Sequence, residues 1–387
     1  MEIYLDNAAT TKIFDSVKDT MIEVYEKDYG NPSSKHSKGM EAENRIKQAA
    51  EIISKSLKGL PKDIIFTSGG TESNNMALIG TSLANRRLGN HIITTEVEHP
   101  SVHEPLLWLE QNGFEVTYLP VEENGYIKAE RLTQAITDKT IVVSMMYVNN
   151  EIGSVLDVET LCKAAKQKKK NIIFHTDAIQ AYGKYQINPK KWGIDLLSAS
   201  AHKIHGPKGI GFLYRNEQVK ISPILYGGGQ QKGLRSGTEN VPGIAGMGCA
   251  VKEMYTNHFD KMEHLYQLKE YFICELKKLD NIIINGIKNL DIRETAPHII
   301  SVSFEGIRSE VLLHALADKG VFISSGSACA SNHPDFSNTL KAIGVSKELL
   351  DSTLRFSTSV NSTKKEIDNT INSLRELIPI LRKYTRH

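Results

Sequence analysis

The sequence predicts an α/β fold: a large domain with a mainly parallel seven-stranded sheet between helices, followed by a smaller α+β domain. Three observations carry this. Between about residue 60 and residue 215 the apolar runs DIIFTSG, HIITTEVEH, EVTYLP, IVVSMMYVNN, NIIFHTD, DLLSAS and GIGFLY alternate with helical patterns, the mark of strands separated by covering helices. From Phe259 onward Met262, Leu265, Leu268, Phe272, Leu276 and Leu279 recur every three or four positions, which predicts one long amphipathic connecting helix. Beyond it HIISVSFEG, the helical SEVLLHALADKG, VFISSGSACAS, TLRFSTS and a last helix read as the smaller domain.

Composition narrows the function classes. The chain has 387 residues, 40% of them hydrophobic and 24% charged, enough for substantial cores and not the composition of a disordered chain. The 47 basic residues interleave with 45 acidic ones and form no stripe along which a phosphate backbone could run, so no direct nucleic-acid partner is expected. Lys166, Lys168, Lys169 and Lys170 read as a solvated helix C-terminus. No apolar run is long enough to span a bilayer, and MEIYLDNAATT lacks the basic start and apolar core of a signal peptide; a cytoplasmic location without membrane contact is the expectation. Cys162, Cys249, Cys274 and Cys329 have no zinc spacing, so neither a metal nor a disulfide is expected.

The chemistry-bearing residues gather where predicted strands end. Thr71, His99, Asn150, Asp177, Ser200 and Lys203 all follow such runs, and ligand sites of parallel sheets lie at the carboxyl ends of strands. Gly69, Gly70 and Thr71 stand between a strand and a helix, where backbone N–H groups can receive a phosphate; a tight turn is the plainer use of such a pair. His99 precedes Pro100 and can stack on a flat ligand, shuttle protons or satisfy a turn. Asp177 can pair with a pyridinium nitrogen or cap the segment after it. In SASAHKIHGPKG, Lys203 and Lys208 are equally eligible Schiff-base formers, with Ser200 and His202 beside them as phosphate partners. Arg355 can clamp a carboxylate or form a cross-strand ion pair. Cys329 lies in SSGSACAS, outside any apolar helix pattern, and is the candidate reactive thiol, whereas Cys162, Cys249 and Cys274 read as small buried hydrophobes.

In order along nearly the whole chain, LDNAATT, GNPSSKHSKG, SGGTESNN, EHPSV, VNNEIG, HTDAIQ, SAHKIHGPKGIG, GGGQQKGLRSGTEN, SSGSACAS and LRFSTS resemble the cysteine desulfurases of the NifS/IscS type, fold-type I pyridoxal-phosphate enzymes of aminotransferase class V. The resemblance implies pyridoxal 5'-phosphate as cofactor, linked to Lys203, with Asp177 on the ring nitrogen, Gln180 on the ring hydroxyl and His99 on the ring face. It implies a phosphate cup of Thr71, Ser200, His202 and the Gly70 backbone, completed by Thr238 of a second subunit and hence a homodimer. Asn150, Arg355 and Asn31 would orient the substrate, with Asn31 reaching the pocket from the small domain. The domains implied are 13–257, and 1–12 with 258–387.

The resemblance also implies a reaction. L-cysteine yields L-alanine while the Cys329 thiolate takes the sulfur as a persulfide, with Lys203 carrying protons and His99 as acid or base. A protein that accepts the persulfide, for iron-sulfur cluster assembly or for tRNA or cofactor thiolation, is the implied partner. Ala330 and the stretch Asn332, His333, Pro334, Asp335 depart from the family's pattern after the nucleophile. A selenocysteine lyase, an aminotransferase and a catalytically silent assembly partner are the alternatives; Lys203 and Cys329 together argue against the last.

Overall fold

The computed structural model describes residues 2–288, 290–325 and 337–384. Its strands are β1 (Ile3–Tyr4), β2 (Ile64–Thr67), β3 (His91–Thr95), β4 (Glu115–Leu119), β5 (Thr140–Ser144), β6 (Ile173–Asp177), β7 (Leu196–Ser200), β8 (Gly211–Arg215), β9 (Ile282–Asn285), β10 (Ile299–Phe304), β11 (Val321–Phe322), β12 (Ser324–Ser325) and β13 (Thr353–Ser357). Each of the seven runs singled out between residues 60 and 215 supplies one strand of a seven-stranded sheet in the order β2-β8-β7-β6-β5-β3-β4. β8 is antiparallel to both of its neighbours and the remaining pairs are parallel.

The burial of the strands explains their composition. Every residue of β3, β5 and β7 is buried, as helices on both faces require, so these strands read as apolar runs interrupted only by hydroxyl residues and His91. β4, at the sheet edge, carries an exposed Glu115 and three half-buried residues. On one side the helices Asp15–Lys27, Ser37–Ser56 and Val241–Tyr255 pack together. Gly248 lets two of them approach closely, since a Cβ there would lie 3.0 Å from Ala49 Cα.

Because β2, β3, β5, β6 and β7 share one direction, the segments after them emerge along one edge of the sheet. Residues 68–71, 96–101, 145–150, 177–180 and 200–203 therefore meet there, as parallel sheets dictate.

The second core lies around an antiparallel sheet in the order β12-β13-β10-β9, beside the parallel pair of β1 and β11. Leu268, Phe272, Val302, Phe304, Leu354, Phe356, Ile371 and Leu374 fill it together with Ile3 and Leu5. The helix His258–Leu276 belongs to both cores, because Met262 and Leu265 face the first while Leu268, Phe272, Ile273 and Leu276 face the second.

Two expectations need correction. Cys274 is exposed, because the helix buries residues 268, 269, 272, 273 and 276 and turns 274 to solvent. The basic stretch is not wholly solvated: Lys166 pairs with the buried Asp195 at 2.6 Å, and Lys169 donates to the carbonyls of Asp138 and Thr140 at 2.6 and 2.8 Å. These lysines tie the helix Val158–Lys168 and the chain after it to neighbouring segments. Cys162 is buried as expected, and burial pushes its thiol up to about 12.

Candidate active site

The strand-end segments enclose a cavity of about 310 Å³, a size within the usual range for small-ligand pockets. Gly70, Thr71, His99, Asn150, Asp177, Gln180, Ser200, His202, Lys203 and Arg355 line it together with residues 8 and 9. Lys208 is exposed and does not line it, so the fold separates two lysines that local sequence left equivalent.

Lys203 follows β7 in a short turn, and its Nζ donates to the carbonyls of Ala8 and Ala9 at 2.7 Å each. Asp177, the last residue of β6, is 4% exposed. Its Oδ1 accepts from the Ile179 N–H at 2.9 Å and its Oδ2 from Asn74 Nδ2 at 2.8 Å. Burial pushes the Asp177 carboxyl up, while His99, the Ile179 N–H, Asn74 and Lys203 hold it down. It is thus both the cap of the segment after it and a carboxylate lining the cavity.

His99 has a fixed tautomer. Its Nδ1 accepts the Ser101 N–H at 3.0 Å, which makes it the N-cap of the helix Pro100–Gln111 and leaves the ring proton on Nε2. Burial lowers its proton affinity, so the ring is neutral around pH 7. Burial, followed by the cationic Lys203, pushes His202 down to about 4, and its Nδ1 lies 3.3 Å from Thr10 Oγ1. Gln180 donates to the Ala8 carbonyl at 2.9 Å and meets the buried His298 at 3.1 Å.

Arg355 sits on β13 and reaches the cavity from the second core. Its Nη1 donates to the Asn150 carbonyl at 2.8 Å and its Nη2 to Asp6 Oδ1 at 3.0 Å. Its Nε is buried without a partner among the described residues, a polar group that an entering carboxylate would satisfy. Gly70 lies tight against Ile179: a Cβ there would lie 2.1 Å from Ile179 Cδ1, so a larger residue would have to turn that side chain aside.

Asn31 and Thr238 do not line this cavity, and Cys329 is not among the described residues. Asn31 is exposed, does not line the cavity, and spends its side-chain oxygen on the Ser33 N–H at 2.9 Å. It lies between the helices Asp15–Lys27 and Ser37–Ser56 that cover the large sheet, not beside the second core. Thr238 is exposed and borders a separate cleft with Thr67, Ser68 and Arg235. Cys329 lies outside the described residues, as do Ala330 and residues 332–335.

A sequence model of the aminotransferase class-V family matches residues 3–370. The chain belongs to this family. Within it, the chain is 42% identical over 382 residues to the cysteine desulfurase IscS of Dictyoglomus turgidum, covering 98% of this chain and 95% of that one. The structure of a NifS-like protein superposes with a TM-score of 0.92 at 35% identity, covering 98% of this chain and all of that one. That of SspA in complex with cysteine gives 0.78 at 34% identity over 93% of this chain and all of that one. This aminotransferase class-V chain is a member of the cysteine desulfurase branch.

Sequence reading of this class-V chain missed several residues that support the site. Asp6 and the carbonyls of Ala8 and Ala9 fall within LDNAATT, and Asn74 within SGGTESNN, yet nothing in those segments signals whom they bond. Glu98 is another. Its Oε1 accepts from the Met146 N–H at 2.9 Å and from Thr95 Oγ1 at 2.7 Å, joining the ends of β3 and β5, and burial pushes its carboxyl up to about 8.

Proposed function

We propose that this chain uses pyridoxal 5'-phosphate to convert L-cysteine to L-alanine and passes the sulfur to Cys329 as a persulfide. One observation carries the reading: a buried carboxylate, a lysine, a neutral histidine and an arginine with an unsatisfied Nε line a single cavity. The donor set fits the cofactor. Lys203 would carry it, Asp177 would hold a proton on its ring nitrogen, His99 would cover the ring face, and Thr71, Ser200, His202 and the Gly70 backbone would hold its phosphate.

The bound cofactor supplies an electron sink for charge developing at the substrate α-carbon. The chain's own residues do the rest. Arg355 binds the substrate carboxylate, with Asn150 beside it to orient the substrate. Lys203 moves the α-proton, and the His99 Nε2–H donates or receives at the sulfur side. The Cys329 thiolate forms a bond to the substrate sulfur as the carbon–sulfur bond breaks.

The same proposal includes a homodimer in which Thr238 of one subunit completes the other's phosphate cup. It includes a protein acceptor for the persulfide, for iron-sulfur cluster assembly or for tRNA or cofactor thiolation. The domain division 13–257, and 1–12 with 258–387, belongs to it too, supported by the packing of Ile3 and Leu5 in the second core.

The test is to incubate the purified protein with pyridoxal phosphate, cysteine and a thiol reductant that releases the persulfide sulfur as sulfide, and to assay sulfide and alanine, beside the Cys329→Ala variant. Equal amounts of sulfide and alanine, lost with Cys329→Ala, are expected. Alanine formation indifferent to Cys329 would sink the persulfide step.

A further inference from the structure

We propose that Lys184 is a positioning residue for Lys203: it fixes the Lys203 segment through the main-chain carbonyl and sets a second titratable amine beside that segment. The inference rests on the reading that Lys203 carries pyridoxal phosphate. Lys184 lies in the segment after β6 and is 8% exposed, and its Nζ donates to the Lys203 carbonyl at 2.6 Å. Together with Lys203, Asn7, Thr11, His205 and His298 it borders a void of about 10 Å³, at the lower limit for one water, behind the main cavity.

The surroundings give this lysine an unusual charge environment. No carboxylate borders the void, and among the described residues none pairs with Lys184. His205 and His298 face it from the other elements, and burial holds both rings neutral around pH 7. An ammonium enclosed without a counter-ion is costly, so satisfying one carbonyl alone does not account for it. Burial, then the neighbouring Lys203, pushes Lys184 down to about 7.

Lys203 itself is faced by Asp6 and Asp177, which favour its charge, and by His99, His202, His298 and Lys184. The charge of Lys203 lowers the proton affinity of Lys184, and by the same interaction a proton on Lys184 disfavours one on Lys203. Lys184 therefore favours the uncharged Lys203 amine, the form that attacks a carbonyl and accepts a proton.

The experiment follows the absorbance of the Lys203–pyridoxal phosphate link against pH in the parent, Lys184→Met, Lys184→Gln and Lys184→Arg, with thermal melts on each. Both neutral variants should move the spectral midpoint up by about one pH unit or more, and the arginine variant should return it toward the parental value. Unmoved midpoints in folded neutral variants overturn the proposal. So does failure of both neutral variants to fold while the arginine variant folds, which would make Lys184 a folding determinant only. A parent protein that gives no absorbance dependent on Lys203 overturns the underlying cofactor reading instead.

Discussion

Arg355 on β13, which lines the cavity, forms an ion pair at 3.0 Å with Asp6 just after β1. The arginine side chain is 4% exposed and the aspartate 21%. Burial pushes the Asp6 carboxyl up, while Arg355 holds it down. The pair, together with the Asn150 carbonyl, fixes the guanidinium plane before substrate arrives, leaving Nε unsatisfied.

Replacing that plane by a point charge should therefore hurt binding more than turnover. Arg355→Lys is expected to raise KM for cysteine by about ten- to a hundredfold with a smaller change in kcat, because lysine cannot reproduce the fork geometry. Steady-state kinetics check this; an unchanged KM would show that the carboxylate is held elsewhere.

The two lysines of the SAHKIHGPKG segment should separate cleanly. Lys203→Ala is expected to abolish the yellow absorbance given by pyridoxal phosphate near neutral pH, whereas Lys208→Ala, altering an exposed side chain, should keep it. Absorbance spectra of the two purified variants decide, and the reverse pattern would move the cofactor to Lys208.

Gly70 offers a test of steric demand. An added methyl meets the half-buried side chain of Ile179, so Gly70→Ala should push that side chain toward the cavity it lines. A stability loss of about 1–3 kcal/mol is expected from overpacking, with at least a tenfold loss of cofactor affinity. Denaturant unfolding and a pyridoxal phosphate titration measure the two effects.

Glu98 sets a pH dependence whose sign follows from its raised proton affinity. Between about 4.5 and about 8 the folded protein holds a proton that the unfolded chain has released, so this contribution is full below 4.5 and falls as pH rises through 8. Glu98→Gln removes the ionisation and keeps an oxygen for the Met146 N–H. At pH 8 the variant should be more stable than the parent by on the order of 2 kcal/mol, after allowance for partial solvent contact, and the difference should vanish near pH 4.5. Melting curves across that range test it.

The strand runs were legible because buried parallel strands must be apolar, and His99, Asp177 and Lys203 were legible because strand ends are where such sheets place ligands. What stayed hidden depends on long-range approach. Asp6 and Arg355 are separated by 349 positions, and no local pattern in either segment announces their pairing. Choosing between Lys203 and Lys208 needed the curvature of one turn, and Asn31 was drawn to the site by its motif although its own turn uses its side chain. Cys274 shows the limit of residue preference: helical phase, not chemical type, exposed it.

The chain near its amino terminus performs two tasks within a few residues. Ile3 and Tyr4 pair with β11 in the second core, and five positions later the carbonyls of Ala8 and Ala9 hold Lys203 Nζ. This stretch acts as a tether between the edge of one core and Lys203 beside the other. A fusion partner, a cut or a cross-link placed here would act on the lysine's setting as directly as a substitution in the cavity wall.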